Sequence, residues 1–106
     1  MSRITKRPAA VQDLVDRYVY FFENASEALA ERFLAAAESS FAELGHKPLI
    51  GSPVRLRHKA LHGLRKWAVK GFDHVLVFYW PRESGVTIVR VLHSSQDWAE
   101  ALRADR

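Results

Sequence analysis

LRKWAVKGFDHVLVFYWPRESGVTIVRVLHSSQD, residues 64–97, is the stretch that decides the fold. Val, Ile, Leu, Phe, Tyr and Trp dominate residues 67–69, 75–80 and 86–92, the composition of strands on a pleated, half-buried surface. Gly71-Phe72-Asp73 supplies a tight turn between the first two runs, and residues 81–85, with Pro81 and Gly85, a looser one between the last two. Three antiparallel strands in a meander are therefore expected. A first turn centred on Phe72 sets Val69 against Val75, Trp67 against Val77 and Lys66 against Phe78. A second turn centred on Glu83 sets Val77 against Val89 and Val75 against Val91. In that register Trp67, Val69, Val75, Val77, Val89 and Val91 share an apolar face that must be covered. Lys66, Lys70, Leu76, Phe78, Trp80, Ile88 and Arg90 share the other, apolar at its centre and cationic around it. A face of that mixed kind is expected to await a partner.

Outward from the meander, the cover is easy to find. Pro8 suits the first turn of a helix, where its missing N–H costs nothing. Val11, Leu14, Val15, Tyr18, Val19 and Phe22 then recur at helical spacing. The aromatic run 18–22 predicts an end buried on more than one side. Asn24 with Glu27 three residues on has capping-box spacing for a second helix. Leu29, Phe33, Ala36, Ala37, Ser40, Phe41 and Leu44 carry that helix forward, Gly45 is placed to end it, and Pro48 prevents continuation. Two helices so closely joined form an antiparallel hairpin, the natural roof for one sheet face. Residues 3–7 can add an edge strand, residues 48–63 read as irregular with a possible extended arm at 54–59, and Asp97 can cap a short terminal helix holding Trp98, Ala101 and Leu102. The expected class is α+β, β-α-α-β-β-β with a helical hairpin packed on a small antiparallel sheet and a short C-terminal helix.

At 106 residues the chain is one domain, able to bury about two thirds of its unfolded surface. Its 48% hydrophobic and 26% charged residues are ordinary globular values. It has no cysteine, hence no disulfide framework or thiolate metal site. No run approaches the roughly 20 apolar residues that span a bilayer, and the N-terminus lacks the apolar core of a signal peptide. A soluble cytoplasmic protein is expected. The net charge of +4 is unevenly spread: seven acids and two bases between Pro8 and Leu44, then seven bases and no acid between Gly45 and Phe72. A basic window of this kind suits an acidic partner, whether nucleic acid or protein; its plainer reading is a solvated loop.

Element order, the Ala-rich second helix ending before Pro48-x-x-Gly51, the entry Gly63-Leu64-Arg65, the strand ending Phe78-Tyr79 and above all Ile88-Val89-Arg90-Val91-Leu92-His93 with Asp97 four residues on resemble the ParE branch of the ParE/RelE toxin superfamily. The resemblance runs from about Ala9 to Trp98. Gln96 and Trp80 stand where members of that branch commonly carry arginine. The resemblance implies the toxin of a type II toxin–antitoxin pair, from a plasmid-stabilisation type of system, held in a hetero-oligomer by a small antitoxin whose disordered acidic and apolar tail folds onto it. It also implies a poison of DNA gyrase with no chemistry of its own; no cofactor and no metal are expected. RelE-like relatives are instead ribosome-dependent mRNA endonucleases.

RNA cleavage would need a base, an acid and cations for the phosphorane charge. Arg65, Tyr79, Arg90 and His93 are the candidates, with Lys66 and Lys70 as further cations. The expected register splits them between two faces, and two have plainer readings: His93 as a structural histidine closing a strand, Arg65 as the partner of Asp13 or Asp16. His58 and His62 have metal-ligand spacing for a helix but no acid nearby. Binding is therefore the favoured expectation. The antitoxin is expected on Lys66, Lys70, Leu76, Phe78, Trp80, Ile88 and Arg90 together with the rim of the helical hairpin, and the target on Arg55, Arg57, Lys59, His93 and Trp98. A stand-alone basic nucleic-acid-binding domain, with sheet aromatics stacking bases, is the remaining alternative.

Overall fold

The computed structural model describes residues 3–56 and 59–104. The elements are β1 (Arg3–Lys6), α1 (Pro8–Asn24), α2 (Glu27–His46), β2 (Ser52–Pro53), a 3₁₀ turn (Lys59–Leu61), β3 (Arg65–Val69), β4 (Phe72–Arg82), β5 (Gly85–His93) and α3 (Trp98–Ala104). The sheet has five strands in the order β1-β5-β4-β3-β2. The meander β3-β4-β5 is antiparallel as expected, β2 adds an antiparallel edge, and β1 joins β5 in parallel. Gly85 makes that last pairing possible: a Cβ there would overlap the backbone of Arg3.

Both helices start where the chain allows and end later than expected. Arg7 is extended before Pro8, so the proline opens α1 without losing a hydrogen bond. The cap of α2 is Ser26, whose Oγ accepts from the Leu29 N–H at 3.0 Å, in place of the expected Asn24; that side chain instead donates to the Tyr20 carbonyl. Gly45 does not end α2. It is buried within the last turn, and the helix stops at His46 with Lys47 as its C-cap.

Register is where sequence and structure part. Trp67 faces Val77 and Lys66 faces Phe78 as expected, but an irregularity beyond Ala68 pairs Val69 with Phe72. Val77 pairs with Val91, not Val89, and Val75 with His93. A bulge then follows: Phe78 pairs with Arg90 but Tyr79 with Ile88, so β5 carries an extra residue. Ile88 therefore turns to the helix-covered face and Val89 to the opposite one, the reverse of the expected assignment.

The sheet is covered on both faces. Under the hairpin lie Phe33, Ala37, Phe41 and Leu44 of α2, Ala10 and Leu14 of α1, and Val69, Val75, Val77, Tyr79, Val86, Ile88 and Val91 of the sheet. Ser40, the buried polar residue of this layer, donates to the Ala36 carbonyl and accepts the Lys70 N–H, tying the β3–β4 turn to α2. On the other face Phe78, Val89 and Leu92 are sealed by Val54, Leu61 and Leu64 from the β2–β3 connection and by Leu102 of α3. The expectation of an open, greasy sheet face is thus corrected: the chain's own short helix and connection occupy it.

Candidate functional site

The four residues weighed for RNA cleavage are each committed locally. Tyr79 is fully buried; its hydroxyl donates to the Pro48 carbonyl at 2.7 Å and accepts the Gly51 N–H at 2.9 Å. Burial raises its pKa, partly opposed by the Gly51 N–H and the charge of Arg65, so it is a poor proton donor near neutrality. Gly51 is required here because a Cβ would collide with that hydroxyl. Arg65, paired beside Tyr79, donates through Nη1 to the carbonyls of Gly51 and Leu49. Together they pin the loop after α2 to the sheet.

Arg90 is held by Asp13 of α1 in a two-pronged pair, Nε to Oδ2 at 2.7 Å and Nη2 to Oδ1 at 2.8 Å. Asp13 also accepts the Val91 N–H at 2.9 Å. The partner expected for Arg65 thus belongs to Arg90. His93 sits on the last residue of β5, its Nδ1 accepting from the Ser95 N–H at 3.1 Å and lying 2.7 Å from the Ser95 Oγ. It stacks on His74 with 5.8 Å between ring centroids. Desolvation, then the charges of Arg17 and His74, lower its pKa, so it is neutral at physiological pH. His93 pairs with Val75, four residues along β4 from Tyr79, a separation of about 13 Å along the strand. The set does not converge on one point.

The seven residues expected to take the antitoxin are dispersed. Phe78 and Ile88 are fully buried, on opposite faces, and neither can touch a partner in this conformation. Leu76 and Trp80 are half-buried at the margin of the second layer. Lys66 is half-exposed with its Nζ 5.5 Å from the Trp98 ring, Lys70 is exposed at the β3–β4 turn, and Arg90 is in its pair with Asp13. Of the residues expected to meet the target, Arg55 and Lys59 are exposed and Arg57 lies outside the described residues. Trp98 packs on Phe78, 5.4 Å between centroids, so it is cover for the second layer before it is a contact. His58 lies outside the described residues. Among the described residues, no group of three or more His, Cys, Asp or Glu is placed to hold a metal ion. No helix among them is long and apolar enough to cross a membrane.

Two further surfaces stand out, one on the helical hairpin and one beside Arg65 and Trp80, which the sequence had singled out for other roles. The first is the outer side of α1. Val11 (45% exposed), Val15 (48%), Val19 (43%) and Phe22 (48%) recur at four- and three-residue steps and face solvent, while Ala10, Leu14 and Phe21 take the core. The aromatic end expected to be buried on more than one side is buried on one. Acids rim this stripe: Asp16 and Glu23 are exposed on α1, and Glu31 of α2 accepts from the Tyr18 hydroxyl at 2.9 Å. The signal was present as a helix apolar on two sides, which periodicity alone cannot divide into inner and outer. The second surface is a cavity of about 560 Å³ at the far end of β4, lined by residues including His62, Arg65, Trp80 and Arg82.

Compared with known proteins, residues 4–98 match the model of a family described as the ParE toxin of the type II toxin–antitoxin system, parDE. A search of curated proteins found no match. Among solved structures, the fold is similar to a chain of the chromosomal ParDE toxin–antitoxin system from P. aeruginosa. The TM-score is 0.71 and the identity 14%, over 88% of this chain and 96% of that one. It is also similar to a chain of the YoeB–YefM complex from Staphylococcus aureus, with a TM-score of 0.56 and 18% identity over 88% of this chain and 97% of the other.

Proposed function

Because the chain belongs to the ParE toxin family of type II toxin–antitoxin systems, we propose that it is a cytoplasmic toxin that inhibits DNA gyrase by binding and is neutralised by its own antitoxin. The observation that carries binding over catalysis is the commitment of the reactive groups. Tyr79 and Arg65 hold the loop after α2, Arg90 is spent on Asp13, and His93 lies about 13 Å along the strand from Tyr79. The test is induced expression without the partner gene. Double-strand DNA breaks with intact transcripts are expected. The alternative, a ribosome-dependent mRNA endonuclease, draws on the neutral His93 stacked on His74; transcripts cut at codon-defined positions would establish it instead.

The antitoxin's place moves from the sheet to the outer stripe of α1. From Val11 to Phe22 this stripe runs about 16 Å along the helix, the length of three turns of a docked helix. The docking segment presents apolar side chains at three- and four-residue spacing, flanked by Lys or Arg that meet Asp16, Glu23 and Glu31, in place of the acidic tail that the resemblance implied. Val15→Asp tests it without touching the core, since Val15 is half-exposed. Calorimetry with the antitoxin encoded beside the toxin is expected to show a loss of roughly 30-fold or more. Unchanged affinity would return the antitoxin to Lys66, Lys70 and the half-buried margin of Leu76 and Trp80.

A further inference from the structure

We propose that the cavity at the Trp80 end of the sheet is a binding site for single-stranded nucleic acid, one nucleotide unit deep. The site does not depend on gyrase being the target. It lies between the end of β4, the residues preceding β3 and the loop after α2. At about 560 Å³ it is within the range of small-ligand sites and holds a nucleotide with room for the chain to continue.

Its lining divides into two kinds of surface. Leu49, which is 68% exposed, Trp80 and Pro81 form an apolar wall; Arg65 and Arg82 bring cations and His62 an imidazole to the same space. No acid lines it. That division matches a flat base on one side and phosphate on the other. A base paired in a duplex could not reach into it, which selects a single strand.

The cations are oriented without being exhausted. Arg82 donates through Nε to Thr87 Oγ1 at 3.0 Å and lies over the Trp80 ring at 5.1 Å, which fixes its guanidinium plane. Its two terminal nitrogens have no hydrogen-bond partner among the described residues. Arg65 spends Nη1 on the loop carbonyls, which leaves its other nitrogens for a phosphate. Trp80 is itself held in place, its Nε1–H donating to the His62 carbonyl at 3.1 Å and Arg7 lying 5.7 Å from its ring. Arg55 and Lys59, exposed on the connection leading to β3, extend the positive surface along which a strand would continue.

The purified full-length chain is titrated with a ten-residue oligothymidylate, thymidine monophosphate, inorganic phosphate and a polyglutamate peptide. Binding is followed by calorimetry and by the Trp80 indole N–H resonance. The oligonucleotide is expected to bind tightest, to shift that resonance, and to weaken with added salt. Arg82→Glu is expected to lower its affinity about tenfold or more, against about threefold or less for Arg32→Glu on the exposed face of α2. Equal losses in the two variants would mean a general field and overturn the site. Polyglutamate binding more tightly with the same dependence on Arg82 would make it a peptide site. A Trp80 resonance that stays still under saturating oligonucleotide refutes the proposal with no substitution at all. None of these outcomes bears on DNA breakage in cells, so the two readings fail separately.

Discussion

On one side of the sheet, helices of 17 and 20 residues press Phe33, Ala37, Phe41 and Leu44 against the strands. On the other, a seven-residue helix and an irregular connection do the same work for Phe78, Val89 and Leu92. The side chains buried on the two sides are alike; what differs is how much regular backbone stands behind the cover. A helix of seven residues is far below the length that holds itself in water, so α3 persists only through its seat on the sheet. The hairpin layer therefore sets global stability, and the second layer is the one free to open locally. A family likeness cannot reveal this asymmetry, because it resides in the lengths of two covers and not in a motif.

Four measurements would sharpen or break this contrast. Phe33→Ala empties the centre of the hairpin layer, where Phe33 meets Phe21 and Phe72, and is expected to cost ~4 kcal/mol in denaturant unfolding. Leu102→Ala removes a residue as deeply buried beneath α3, yet about 2 kcal/mol is expected, because so short a helix can settle into the space. Equal costs would end the distinction between the layers, and so would hydrogen exchange in α3, at Ala101 and Leu102, as slow as in α2 at Phe33 and Ala37. Tyr79→Phe keeps the ring but removes the hydroxyl that holds Pro48 and Gly51. About 1–2 kcal/mol is expected, with faster exchange of the Gly51 amide.

The smallest effect is that of pH. Because the folded pKa of His93 lies below its unfolded value, the unfolded chain binds the proton more readily. Stability is then fully present above the unfolded pKa of about 6.5 and declines as pH falls below it. A thermal unfolding midpoint that drops less between pH 7.5 and 5.5 in His93→Gln than in the parent protein is the expected signature. An identical drop would assign the effect to other groups.

How far the sequence could be read follows the same physics. The meander, the helical hairpin and the β3–β4 register near Trp67 and Lys66 were legible because Gly71 and the apolar alternation fix them locally. The β4–β5 register was not: Ile88 and Val89 are interchangeable in any apolar pattern, so the bulge that reverses their faces leaves no mark in composition. Nor could α1 be oriented, since Val11, Val15 and Val19 are as apolar as Leu14 and only the sheet decides which side is buried. Family membership was legible in the β5 motif, whereas the roles of its residues were not. Arg90 and Tyr79 meet partners 77 and 31 positions away, and those pairings exist only once the chain has folded.

Asp13 has one more consequence. β1 ends at Lys6 beside Ile88, and just beyond it the outer rim of β5 would present bare amides. There the carboxylate of Asp13 takes the Val91 N–H and clasps Arg90 across the gap. A strand from a neighbouring molecule arriving on that flank would have to displace an anion before making its first ladder bond. The chain guards its own border against aggregation with a single side chain, and needs neither a longer β1 nor an extra loop to do it.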